Sequence, residues 1–117
     1  AMLGWDVYLY RHREASPENL LARWTSRSLG IGWLDALVAQ GAAQDLGGSG
    51  YPCLYCARAG VLLPLIAPET SLRGYPPPLL PISALLPANL GGLHWHLDRL
   101  ADCPPDEELL VHAFDQS

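Results

Sequence analysis

The sequence predicts an α+β fold: a small antiparallel sheet packed with two or three short helices. Aromatic and β-branched residues crowd Trp5–Tyr10, and a short apolar run, Leu109–Phe114, lies near the other end, so two strands able to pair bracket the chain. Between them apolar residues recur at helical spacing, and Gly47-Gly48-Ser49-Gly50 separates two short segments in the manner of a hairpin turn.

Residues 5–10 form the first expected strand, closed by the polar run Arg11 to Glu14. Ser16-Pro17-Glu18 has the composition of a helix start: a hydroxyl cap, a proline where its missing N–H costs nothing, and an acid at the positive end of the dipole. Leu20, Leu21 and Trp24 then share one face of a helix expected over 17–27. A second helix is expected over 31–40 from the spacing of Ile31, Leu34, Leu37 and Val38, with Gly41 as its terminator. Strands follow at 43–46 and 51–57, joined by the glycine turn, with Pro52 at a strand start or edge because it donates no ladder hydrogen bond. Val61–Ile66 forms a short helical turn, and the prolines from 68 onward leave an irregular strap over 67–90 whose leucines lie over the core. Residues 92–101 fit two patterns, since Leu93, Leu97 and Leu100 suit a helix and Leu93, Trp95 and Leu97 suit a strand; the helix is preferred. Residues 109–114 close the sheet as a buried strand beside residues 5–10, although Pro105-Asp106-Glu107-Glu108 is also a respectable helix start.

At 117 residues the chain is expected to form one domain over 1–117, with its native start at Met2 rather than Ala1. Half of it is hydrophobic and 16% is charged, which supports a packed core and argues against disorder. Prolines interrupt the richest apolar region, so no run of about 20 apolar residues is available to cross a bilayer. Asp6 lies where a secretory leader needs its apolar stretch, and a cytoplasmic protein is expected. Cys53, Cys56 and Cys103 cannot all pair with one another, which fits reduced thiols in a reducing compartment. The net charge of −5 is uneven: residues 1–60 balance five Arg against five acids, whereas residues 61–117 hold Arg73 and Arg99 against seven acids. An acidic surface repels phosphate backbones and attracts basic proteins, so neither nucleic acid nor membrane is an expected partner.

The motifs that carry chemistry elsewhere lack their context here. Cys53 and Cys56 have redox and zinc spacing, but in a strand residues three apart point to opposite faces, and a zinc site needs four ligands. His94 and His96 share a face if they lie on a strand and diverge by about 200° on a helix. Ser49 sits in a glycine loop with no helix after it, as a nucleophile elbow requires, and that loop cannot cradle phosphate because it feeds a strand and the chain has no Lys. No catalytic residue, metal or cofactor is therefore expected. Asp98, Asp102, Asp106, Glu107 and Glu108 gather around Trp95, a carboxylate surface beside an aromatic anchor.

Leu46-Gly47-Gly48-Ser49-Gly50-Tyr51-Pro52, then Tyr55 and Ala57, then Leu63-Pro64-Leu65-Ile66 resemble small bacterial immunity proteins, the antitoxins that neutralise secreted type VI or polymorphic toxin effectors. The resemblance covers roughly residues 31–66. It implies an α+β cytoplasmic protein that binds a cognate toxin domain and blocks its active site. Trp95, Asp98, Asp102, Asp106, Glu107 and Glu108 are the residues expected to contact such a partner. The alternatives are a small metal- or thiol-dependent enzyme using His94, His96 and Cys103, or a structural adaptor subunit; a homodimer is compatible with any of these.

Overall fold

The computed structural model describes residues 4–27, 31–67, 74–79 and 90–116. Six strands, β1 (Gly4–Arg11), β2 (Leu20–Arg27), β3 (Ala43–Gly47), β4 (Cys53–Arg58), β5 (Leu90–Trp95) and β6 (Glu108–Asp115), form one sheet in the order β3-β4-β6-β1-β2-β5. Every neighbouring pair is antiparallel. Helices α1 (Gly32–Ala39), α2 (Ala59–Ile66) and α3 (Leu97–Ala101) complete the α+β architecture that the sequence predicts. The two terminal strands pair as expected, from Trp5 opposite Asp115 to Arg11 opposite Leu109, and so occupy the middle of the sheet.

Strand alternation decides where the core lies. Val7 and Leu9 of β1, Leu109, Val111 and Ala113 of β6, and Tyr55 and Ala57 of β4 all point to one side and are buried. Against that side pack Trp33, Leu34 and Leu37 of α1, Leu62 and Leu63 of α2, and Leu100 of α3, so the three helices share one face of the sheet. The Tyr55 hydroxyl donates to an Asp35 carboxylate oxygen at 2.9 Å and ties α1 to this face. At the start of α2, Ala59 and Gly60 N–H donate to the carbonyls of Glu107 and Pro105 at 2.8 Å each, satisfying donors that a helix cannot pair internally. Any larger side chain at 60 would press on the Pro105 carbonyl oxygen, 3.1 Å from where a Cβ would stand.

Two expected helices are replaced. Over 17–27, only Pro17–Asn19 turns, as a single 3₁₀ turn, and Leu20–Arg27 is the strand β2. Leu9 lies opposite Ala22 and Tyr10 opposite Leu20, which makes Leu21 the extra residue of a bulge. Leu21 and Ala22 are both fully buried in consequence, and this break in alternation makes Leu20, Leu21 and Trp24 mimic a helical face. The backbone of β1 needs partners on its second edge, and β2 supplies them. Over 92–101, the chain is strand to Trp95 and helix only from Leu97. With β2 extended, its outer edge takes up residues 90–95, Ala22 lying opposite Trp95 and Arg23 opposite His94. Of the expected strap over 67–90, residues 74–79 form no regular element and residues 68–73 and 80–89 lie outside the described residues. Among the described residues no helix is long and apolar enough to cross a membrane.

Candidate docking face

The sheet face turned away from the helices is built by the residues that alternate with the core. On β1 these are Asp6, Tyr8 and Tyr10, and on β6 they are Leu110, His112 and Phe114, paired directly across the two central strands. Their rings form a continuous array. Tyr8 and Tyr10 stack at 6.4 Å between centroids, Phe114 meets Tyr8 edge-on at 5.7 Å, and His112 meets Tyr10 edge-on at 5.3 Å. His112 and Phe114 close the set at 6.3 Å. The stacked and T-shaped arrangements are those the ring quadrupoles favour. All four are half-buried, and burial pushes the Tyr8 and Tyr10 phenols up and the His112 imidazole down, so the rings are uncharged at neutral pH. From β2, Arg23 lays its guanidinium carbon 5.0 Å from the Tyr8 centroid and bonds the Asp6 carboxylate through Nε at 3.3 Å and Nη2 at 3.1 Å.

The acidic segment expected to meet a partner is divided by the fold. Glu107 is 12% exposed and is gripped by Arg11, whose Nε and Nη2 donate to its two oxygens at 2.9 and 2.8 Å. The Cys103 thiol donates to the same carboxylate at 3.3 Å, and His12 Nδ1 stands 3.7 Å away. Arg11 Nη2 also donates to the Asp102 carbonyl at 3.2 Å, and the Tyr75 hydroxyl to the Cys103 carbonyl at 2.6 Å. Glu107 is thus the centre of a clasp that fastens the end of β1, the connection from α3 to β6, and the strap. The Arg11 hydrogen bonds hold its carboxyl below the usual carboxylate range. Glu108 is exposed and pairs with Arg13 at 3.3 Å. His12 and Arg13 reach these acids from backbone with φ of 59° and 55°, a left-handed pair that costs non-glycine residues about 1–2 kcal/mol each. Asp98, Asp102 and Asp106 carry exposed carboxylates with no ion pair among the described residues. Trp95 is half-buried and packs on the core, its indole N–H buried without an acceptor among the described residues.

The thiols and imidazoles are placed as follows. Cys53 lies opposite Ala113 and packs on the core, while Cys56 lies opposite Leu110 on the other face, the divergence that a strand imposes. Burial and the Glu107 hydrogen bond push the Cys103 thiol up to about 12, so it is protonated at neutral pH and a poor nucleophile. His94 and His96 stand side by side, rings 6.1 Å apart and near perpendicular. Among the described residues no three metal-ligating side chains cluster.

Tyr8, Tyr10, Arg23, His112 and Phe114 were not among the residues expected to form a site. The signal for them is the alternation itself, rings at 8, 10, 112 and 114 between aliphatics at 7, 9, 111 and 113, but which side the described helices leave open is a tertiary fact. No protein-family model, curated protein or solved structure matches the chain.

Proposed function

We propose that this chain is an immunity protein that binds a cognate toxin domain, of the type VI or polymorphic kind, and occludes its active site. The observation that carries the reading is the four-ring array of Tyr8, Tyr10, His112 and Phe114 on the side of the two central strands opposite the described helices. Rings mounted on a sheet lose little freedom when a partner covers them, and Tyr and Arg are among the residues that most often dominate interface energies. Charge complementarity supports a basic protein as the occupant. The chain carries −5, and Arg11, Arg13 and Arg23 are each committed to a carboxylate, which leaves the negative field at Asp98, Asp102 and Asp106. Such a field repels nucleic acid and accelerates encounter with a cationic surface, so carboxylates steer and rings anchor.

The test uses the product of the neighbouring reading frame, which this reading takes to carry the toxin domain. That domain is expected to arrest growth when expressed alone, to be tolerated beside this chain, and to co-purify with it in equal amounts. Tyr8→Ala and Phe114→Ala should each weaken the complex by about 2 kcal/mol, roughly thirty-fold in Kd. Asp98→Lys with Asp106→Lys should act mainly on the association rate and its salt dependence. A neighbour that is neither toxic nor bound overturns the reading. Self-association abolished by Tyr8→Ala would replace it with a structural subunit.

A further inference from the structure

We infer that the cavity between β2 and β5 binds a small organic anion with a compact oxyanion head and an apolar body. The cavity measures about 620 Å3 and is lined by Leu20, Arg23, Trp24, Thr25, His94 and His96. That volume lies within the range of small-molecule sites, roughly 300–1,000 Å3.

The head group is the better specified part. Arg23 and His94 are directly opposed across the strand pair, and His96 stands beside His94 at 6.1 Å between ring centroids. The backbone at His96 is fixed by its N–H, which donates to the Leu21 carbonyl at 2.8 Å. Arg23 is held in place from behind: Asp6 engages its Nε and Nη2, and the Tyr8 ring lies against one face of the guanidinium. Those contacts occupy one edge of the fork, and among the described residues the two N–H donors of Nη1 have no acceptor. Each imidazole supplies an N–H donor in either protonation state. Among the described residues no carboxylate lines the cavity, Asp6 lying behind Arg23 and not among the lining side chains. The acceptor side of the pairing is therefore left for a ligand. Leu20, on the same side of β2 as Arg23, forms the apolar part of the wall, which bare phosphate would not use and an organic ligand would; Trp24 is buried beneath it.

The site rests on its own observations rather than on the partner reading, although it adjoins the ring array through Arg23, which lines the cavity and also lies against Tyr8. The probes are phenyl phosphate, benzoate and inorganic phosphate, titrated into the whole chain while NMR follows the Arg23 Nε–H and the imidazoles of His94 and His96. The expected result is a saturable shift of these signals, with a Kd of about 1 mM or tighter for phenyl phosphate or benzoate. Inorganic phosphate should bind at least about ten-fold more weakly, for want of contact with Leu20. Arg23→Gln and His94→Ala should each weaken binding of the organic probe about ten-fold or more, since each removes a donor to an ionised acceptor. Both side chains are exposed, so the variants should keep the amide spectrum of the parent away from the cavity. Absence of a saturable shift, undiminished binding by Arg23→Gln, or equal affinity for inorganic phosphate overturns the site. Loss of anion binding in His94→Ala with toxin binding retained would separate the two surfaces, His94 lying in the cavity and outside the ring array.

Discussion

Replacing Arg11 by methionine is expected to cost about 2–3 kcal/mol of folding stability. The side chain makes two short charge-assisted bonds to Glu107, at 2.9 and 2.8 Å, and reaches the carbonyls of Asp102 at 3.2 Å and Arg99 at 3.5 Å. With 17% and 12% of the two side chains exposed, the pair lies between two regimes. Breaking a fully buried pair costs about 3–5 kcal/mol because the surviving charge is stranded, while an exposed pair returns about 0–1 kcal/mol. Some water reaches Glu107, and the Cys103 thiol and His12 remain beside it, which sets the value below the buried limit. In a domain of this size the loss should lower Tm by roughly 6–15 °C. Urea unfolding followed by circular dichroism measures it, and a double-mutant cycle with Glu107→Leu should return a coupling of about 1–3 kcal/mol. The pH dependence has a definite sign. Glu107 titrates lower in the folded chain than in the unfolded one, chiefly through Arg11, so its contribution is present above the ordinary carboxylate pKa and lost as pH falls through the folded value. Arg11→Met should therefore flatten the acid limb. A loss under about 0.5 kcal/mol, or an unchanged acid limb, would refute the clasp.

The β3–β4 turn and the clasp thiol offer two further measurements. Gly48→Ala should cost about 2 kcal/mol or more, because Gly48 has φ of +104° and a Cβ there would overlap the Pro52 carbonyl oxygen. Gly41→Ala, at φ of +75° with open space around it, should cost only about 1 kcal/mol, and equal losses in urea midpoints would contradict this account. Cys103 holds its proton more tightly folded, up to about 12 against an ordinary 9.0, so its contribution is complete below pH 9.0 and fades as pH rises toward 12. Cys103→Ala should reduce the alkaline loss of stability measured by urea midpoints; an identical alkaline profile would show that the thiol is not a source of it.

How far the sequence could be read depends on whether the deciding contact is local. Residues 5–10 and 109–114 carry their strand character within six residues, and both were legible, pairing included. β2 was not, because the bulge at Leu21 destroys the alternation that marks a strand, and the seemingly good helix start at Ser16-Pro17-Glu18 serves only a 3₁₀ turn. β5 followed from that error: residues 90–95 are a strand because β2 offers an edge, a condition that no window over 92–101 contains. The acidic run was visible as composition, yet Glu107 and Glu108 meet Arg11 and Arg13 from 96 and 95 residues away, and only the fold shows that they hold the molecule together.

The division of the acidic run changes what an interface on this chain has to be. If all five acids had been free, attraction alone would have been a sufficient account of binding, and it would have been sensitive to salt and weakly specific. With Glu107 and Glu108 paired internally, the field that remains at Asp98, Asp102 and Asp106 can speed encounter but supplies little lasting affinity. On the proposed reading affinity has to come from apolar area, and the sheet face opposite the described helices holds it in a form compatible with water. Tyr8 and Tyr10 carry hydroxyls, His112 an imidazole, and Arg23 with Asp6 borders the rings with charge. A face of aliphatic residues at the same positions would drive association indiscriminately, whereas amphipathic rings leave the free chain hydrated and still offer their area to a surface shaped to receive them.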